Sequence, residues 1–399
     1  MSAVFFSHQP LINRQSKIVA TRLTLHPDTN ASSRDVARAL AASTEFWPQS
    51  EKLMLINFAN CLVDDGLLSW EMPESTTLEI PPQALTGLGS EEFVSALQAT
   101  PASLCLIYDA EAQAVLESSA LKFRFIGFDA QNFTPPELRL LTVKTQAHGL
   151  GMAFRASDEA AFQSSLNAGI NAVASWFFKR PSGALAKALN PGQAQIVRVI
   201  NLVRKNAEVR EIEAALKQDV ALSYKLLRYI NSAGFGLSCE IQSFRHAVTI
   251  LGYDKLNKWL SLLLATASKD PMAPALMHTA LTRAHLMEKL AHGLVERQEY
   301  DNLFITGAFS LLDALLGVSM DKVLESMSLP AAISDALLGQ GGAYAPFLEL
   351  AKASENEDGE AIAEQAGMLG LSSEQFNRAQ MQALAFAETL AWGAWQFWE

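Results

Sequence analysis

The chain has 399 residues, 49% of them hydrophobic and 18% charged, with a formal net charge of −11. That length exceeds one ordinary domain, and the apolar content is enough for large cores. The acidic balance, about −5 up to Pro181 and about −6 after it, argues against non-specific nucleic-acid binding, which needs clustered Lys and Arg. The opening "MSAVFFSHQPLINRQSK" lacks the basic start and unbroken apolar core of a signal peptide. The longest apolar stretches, such as "WLSLLLATA" at 259–267, fall short of the ~20 residues that span a bilayer. A cytoplasmic protein with no membrane span is expected. Cys61, Cys105 and Cys239 lie far apart with no CxxC spacing. They read as buried small hydrophobes, not as a disulfide framework or a zinc site.

The first ~180 residues alternate strand-like and helix-like runs. Strands are predicted at 16–25, 52–59, 103–109, 122–129, 151–156 and 171–178. Helices are predicted at 32–43, 90–100 and 158–169, with Ser32 and Ser90 as N-caps and Gly169 as a stop. This order predicts a parallel sheet, and about eight strands would close a barrel. The length is short against the ~250 residues typical of a (β/α)8 barrel, so the fold class is α/β plus all-α, beginning with a shortened or distorted barrel. The segment 179–195 carries two prolines and two glycines, and residues 182–193 within it read as a linker. From 194 to 399 apolar residues recur at three and four, predicting an all-helical domain. Its helices are expected near 194–206, 209–219, 220–234, 243–267, 275–297, 301–316, 319–327, 331–339 and 358–395.

The helical half resembles the HDOD domain, a relative of the HD-type phosphohydrolases. "IEAALKQDVALSYKLLRYINSAGFG" (212–236) carries its "NSA" turn at Asn231, Ser232 and Ala233. "GAFSLLDALLG" (307–317) followed by "LPAAISDALLG" (329–339) resembles proteins that join an EAL domain to an HDOD domain. An HD hydrolase holds metal with a first His, a His-Asp pair and a further Asp. The resemblance puts His278 at the first position and Ser310 and Leu311 at the pair. Leucine cannot ligate and serine is a poor ligand, so no metal site is expected here. Asp313 lies on another helix face and reads as a structural acceptor at a helix end. His278, His285 and His292, spaced by seven, stand ~10 Å apart on a helix. That is too far for one metal.

The first half resembles an EAL domain, which hydrolyses cyclic di-GMP with two metal ions. "HQPLINRQSKIVATRLTL" (8–25) resembles the family's Gln-Pro start and signature strand, and the Glu-Ala-Leu triplet aligns with Arg22, Leu23 and Thr24. Asn57 keeps the asparagine ligand. The Glu-x-x-Glu pattern offers Leu106 and only Asp109, and the Asp-Asp pair reads Asp129 and Ala130. A later Val-Glu-Thr reads Ala156, Ser157 and Asp158, and a final Gln is Ala174. The resemblance therefore implies vestigial pocket positions at Arg22, Asn57, Asp109, Asp129 and Ser157, vestigial HD-type positions at His278 and Ser310, and no cofactor, metal or catalytic residue. Too few ligands remain for two hard cations that want about six oxygens each. The resulting expectation is a non-catalytic signalling adaptor linked to cyclic di-GMP, acting through unidentified protein partners.

Two alternatives stand beside it. In one, Arg22 and Arg155 meet a nucleotide phosphate without hydrolysis; in the other, a residual phosphohydrolase uses His278. "TGLGSEEF" (86–93) reads as an ordinary helix entry. Arg204, Lys205 and Arg210 read as a solvated face or a docking patch for an acidic partner. "SENEDGE" (354–360) reads as a solvated acidic turn. The Trp-rich tail reads as a closing helix, or as a contact for a homodimer or another partner.

Overall fold

In the computed structural model the described residues are 3–48, 52–58, 60, 61, 63–86, 90–180, 185, 186, 188–218, 241, 243, 245–250, 252, 253, 260 and 270–395. Asn231, Ser232 and Cys239, the predicted helix at 220–234 and most of that at 243–267 lie outside them. The chain divides into two compact units. One joins Met1–Phe177 to Lys352–Met381, and the other joins Phe178–Ala351 to Gln382–Glu399.

The first unit is a closed eight-stranded barrel with its strands in sequence order. They are β1 (Val4–Asn13), β2 (Ile18–Pro27), β3 (Leu53–Asn57), β4 (Thr76–Ile80), β5 (Ser103–Ile107), β6 (Phe125–Asp129), β7 (Leu150–Phe154) and β8 (Ala172–Ala174). β1 runs antiparallel to β2 and to β8, and every other pairing is parallel. The barrel is shortened as expected. The connections hold α1 (Ser33–Ser43), α2 (Ser90–Ala99), α3 (Ala112–Ser118), α4 (Pro135–Thr145) and α5 (Glu159–Asn167), and β3 reaches β4 through only a 3-10 turn at Asp65–Leu68.

The caps follow from sequence. Ser32 and Asp35 form a capping box at α1, and Thr134 and Glu137 form another at α4, where Pro135 follows the cap. Asp158 caps α5, and Gly169 ends it with φ 101°. α2 starts at Ser90 itself. Inside the barrel, small residues on some strands face large ones on others: Ala20, Cys105, Ala172 and Ala174 against Leu55, Phe125 and Phe154. This size alternation fills a small barrel without voids. Burial pushes the Cys105 thiol well above its ordinary range. Cys61 is part-exposed, not buried as expected.

The predicted strand list omitted β1 and β4. β1 carries Pro10, Ser7, His8 and Gln9, which dilute its apolar signal, and β4 is the short mixed run "TTLEI".

β8 has only three residues, and of β1 it pairs with Leu11–Asn13 alone. The upper half of β1 therefore has β2 on one side and no strand on the other. An open edge exposes backbone N–H and C=O groups that need partners. Residues 352–381 supply them. The Phe6 N–H donates to Asn377 Oδ1 at 3.1 Å, and Asn377 Nδ2 donates to the Val4 carbonyl at 2.7 Å. The His8 N–H donates to the Ser354 carbonyl at 2.9 Å. Phe5 packs on Phe376 with ring centroids 5.9 Å apart. The expected division placed 194–399 in one block, whereas residues 352–381 group with the barrel. Helical periodicity shows that a segment has an apolar face, not which core that face covers.

The second unit is helical among its described residues. Its elements are α6 (Pro191–Arg204), α7 (Val209–Lys217), α8 (Ala273–Leu290), α9 (Tyr300–Phe309), α10 (Leu312–Leu316), α11 (Met320–Glu325), α12 (Ala331–Leu337) and most of α13 (Ala345–Ala353). α14 (Gly359–Met368) lies in the first unit, and α15 (Ser373–Trp395) begins there. The single helix expected at 301–316 is broken at Ser310 and Leu311, and the one at 358–395 is broken near Gly370, whose φ is 68°. α8 and α9 meet closely at Gly307, where an added Cβ would fall 2.6 Å from Ala284 Cα. Among the described residues, no helix is long and apolar enough to cross a membrane.

Candidate functional site

Arg22 sits in the middle of β2 and points into the barrel with only 7% exposure. It does not stand free. Its Nε donates to Glu79 Oε1 at 2.7 Å and its Nη2 to Glu79 Oε2 at 2.9 Å, a bidentate pair. Its Nη1 donates to Glu357, in the turn after α13. The guanidinium also lies 4.3 Å from the Phe154 ring centroid. Burial opposes the Arg22 charge, but Glu79 and Glu357 outweigh it and raise its pKa further. Burial pushes the Glu79 carboxyl up while Arg22 pulls it back. The net direction for Glu79 is upward, and the two N–H bonds reach both of its oxygens in the geometry of an ion pair.

Asn57, at the end of β3, is buried and donates to Thr24 Oγ1 at 3.1 Å. Thr24 in turn donates to Glu357 Oε1 at 3.4 Å. Of the five expected pocket positions, only Arg22 and Asn57 share this network. Asp109 Oδ1 accepts from the N–H groups of Glu111 and Ala112 at 2.8 and 3.2 Å, and its Oδ2 accepts from Gln83 at 2.6 Å. Asp129 accepts from the Gln131 N–H at 3.0 Å, from Asn132 Nδ2 at 3.3 Å, and pairs with Arg155. Arg155 follows β7 with φ 58°, a left-handed conformation uncommon for a side chain of that size. Ser157 is exposed and donates to Asp158 Oδ2 at 3.4 Å. Among the described residues, no three His, Cys, Asp or Glu side chains gather as a metal ion would need.

Sequence reasoning missed Glu79 and Glu357. Glu79 lies on the omitted strand β4, where its signal was a lone acid inside an otherwise strand-compatible run. Glu357 lies in the turn expected to be solvated. In that turn Ser354 and Glu355 are buried, at 0% and 2% exposure, so the expectation is corrected.

A second buried arginine reaches the HD-type position Ser310. Arg283 on α8 is buried and donates through Nη1 to Ser310 Oγ at 2.9 Å; Ser310 donates to the Gly307 carbonyl at 2.7 Å. His278 is buried, with Nε2 3.5 Å from Glu388 Oε1. His285 contacts Glu288 at 3.1 Å and stacks on Phe386, and His292 stacks on Tyr300. The three histidines each have separate surroundings. Asp313 stands in the first turn of α10, where its Oδ1 accepts from the Ala314 N–H at 2.9 Å. An acid there is favoured by the helix dipole. Arg204 donates to the Ser328 carbonyl at 3.1 Å, and burial lowers its pKa, so it is not simply part of a solvated face.

Residues 191–322 match the HDOD domain model. That segment is an HDOD domain. A closed barrel precedes the HDOD match, the order of the EAL–HDOD proteins that the sequence resembles. The chain is 27% identical over 240 residues to the cyclic di-GMP phosphodiesterase CdgJ of Vibrio cholerae, a match covering 60% of this chain. It spans 56% of CdgJ's length. It is 22% identical over 409 residues to YuxH of Bacillus subtilis, covering 97% of this chain and 98% of that one. Similar solved structures include the EAL domain of Mycobacterium smegmatis DcpA, with a TM-score of 0.35, 14% identity, and coverage of 43% of this chain and 90% of that one. Another, titled a putative phosphohydrolase from Shewanella amazonensis, has a TM-score of 0.37, 17% identity, and coverage of 51% and 95%.

Proposed function

We propose that this protein is a non-catalytic signalling adaptor, tied to cyclic di-GMP control and acting by binding other proteins. The tie rests on the resemblance to EAL–HDOD proteins and on the similarity to a named cyclic di-GMP phosphodiesterase. The observation that carries the reading is the Arg22–Glu79–Glu357 cluster. A permanent cation stands where the resemblance expects a carboxylate ligand. Its donors engage both Glu79 and Glu357, so the carboxylates beside that position already serve a cation of the protein itself. The remaining acids, Asp109 and Asp129, are engaged by loop N–H groups and by Arg155. Arg283 on Ser310 repeats the pattern at the HD-type position.

The receptor alternative needs arginines able to meet phosphate. Arg22 and Arg155 already face carboxylates, which weighs against it. The test is incubation of the purified protein with cyclic di-GMP and magnesium or manganese, beside calorimetric titration in EDTA. No turnover and no heat are expected. Hydrolysis abolished by Asp129→Ala would overturn the proposal, and tight binding in EDTA would replace it with the receptor reading.

A further inference from the structure

The turn at residues 354–358 reaches the end of the barrel where β2 and β3 finish. Its backbone is tied to β1 through the His8 N–H and the Ser354 carbonyl at 2.9 Å. Its acid, Glu357, meets Arg22 and Thr24. The approach is close: an added Cβ at Gly359 would fall 2.5 Å from His26 Cβ, so only glycine fits.

The two carboxylates on Arg22 are not equivalent. The Glu79 side chain is 1% exposed and takes two N–H bonds; the Glu357 side chain is 33% exposed and takes one from Arg22. One acid neutralises the guanidinium, and the second leaves the cluster with an excess negative charge. If Glu357 withdraws, Arg22 and Glu79 remain a neutral, bidentate buried pair. If Glu79 were to leave, buried Arg22 would lose its bidentate partner and keep only the single bond to Glu357. The arrangement therefore has one fixed partner and one detachable partner, which is what a two-position element requires.

We infer that residues 356–358 form a releasable latch over this end of the barrel, with Glu357 as the contact that closes it and buried Ser354 and Glu355 as its fixed anchor. Opening uncovers Arg22 Nη1 and Thr24, while the Arg22–Glu79 pair and the bond from the His8 N–H to Ser354 stay intact. The latch goes beyond the adaptor reading. It concerns access to the barrel and not chemistry inside it.

The test is hydrogen–deuterium exchange by mass spectrometry on the full chain, comparing wild type, Glu357→Ala and the exposed control Glu364→Gln. Glu357→Ala should raise exchange about two- to fivefold in peptides covering 356–358, the range expected for losing one partly exposed ion pair, and leave the His8 amide unchanged. Peptides from β5 to β7 should be unchanged, and Glu364→Gln should match wild type. Unchanged exchange in Glu357→Ala would overturn the inference, since the turn would then be held without the acid. Faster exchange throughout β3–β7 would also overturn it, making Glu357 part of the core and not a latch. If the alanine variant does not accumulate, Glu357→Gln keeps the shape, removes the charge and is read the same way. No outcome depends on activity, so discovery of hydrolysis would leave the latch standing.

Discussion

The Asn377 side chain stands beside Phe6 as a strand would. It accepts the Phe6 N–H at 3.1 Å and donates to the Val4 carbonyl at 2.7 Å. One amide thus completes two rungs of a ladder that β8 is too short to reach. Asn377 is 3% exposed, so water cannot readily take its place. Asn377→Ala leaves a buried donor and a buried acceptor without partners, at about 1–3 kcal/mol each. Urea unfolding of the barrel should shift accordingly; a loss below about 0.5 kcal/mol would mean the edge finds other partners.

Glu79→Gln removes the fixed charge opposite a buried arginine. Breaking one side of such a pair costs about 3–5 kcal/mol. Glu357 still faces Arg22, so the lower end is expected. The double change Arg22→Met with Glu79→Leu removes both charges together and should recover most of that loss, because a buried pair repays little beyond its own desolvation. A double variant no more stable than Glu79→Gln would show that the pair contributes net stability.

His26 gives the barrel unit a pH dependence with a definite sign. Burial lowers its pKa, opposed by Glu357 and Asp358, while Ser7 and Asn60 bond the ring at 2.9 and 3.3 Å. The unfolded chain takes up its proton first, near the ordinary value of about 6.5. The stability this contributes is complete above that value and is lost as pH falls through the lower folded pKa. Chemical unfolding at pH 7.5 and 5.5 should therefore show a smaller difference in His26→Gln than in wild type.

Two glycines make a contrast. Gly307→Ala places a methyl 2.6 Å from Ala284 backbone, which cannot yield, and α8 and α9 must separate. A loss of at least about 1–3 kcal/mol is expected from overpacking. Gly367 lies in α14 with nothing within 4 Å of an added Cβ. Gly367→Ala should gain about 0.5–1 kcal/mol from helix propensity. Thermal melts of the two variants should move in opposite directions.

The barrel and the HDOD half were legible because their periods differ and their motifs sit in contiguous runs. The cluster around Arg22 was half legible. The sequence exposed the arginine where an acid was expected, yet gave no sign of what would neutralise it. Glu79 sits on a five-residue strand of mixed polarity, and Glu357 is 335 residues from Arg22 in the chain. Local pattern reports an element's period and caps; it does not report which distant turn folds back onto it. The same limit hid Arg283, which reads in sequence as an ordinary charge on a helix.

The borrowed edge of β1 has a consequence for biosynthesis. The last barrel strand is made by residue 174, but Asn377 emerges about 200 residues later. At about 5–20 residues per second, the nascent barrel waits roughly 10–40 s with the upper rungs of β1 unpaired. During that interval the N-terminal domain is the part of this chain most exposed to strand addition by a neighbour, and a ribosome stall before residue 377 would release it in that state.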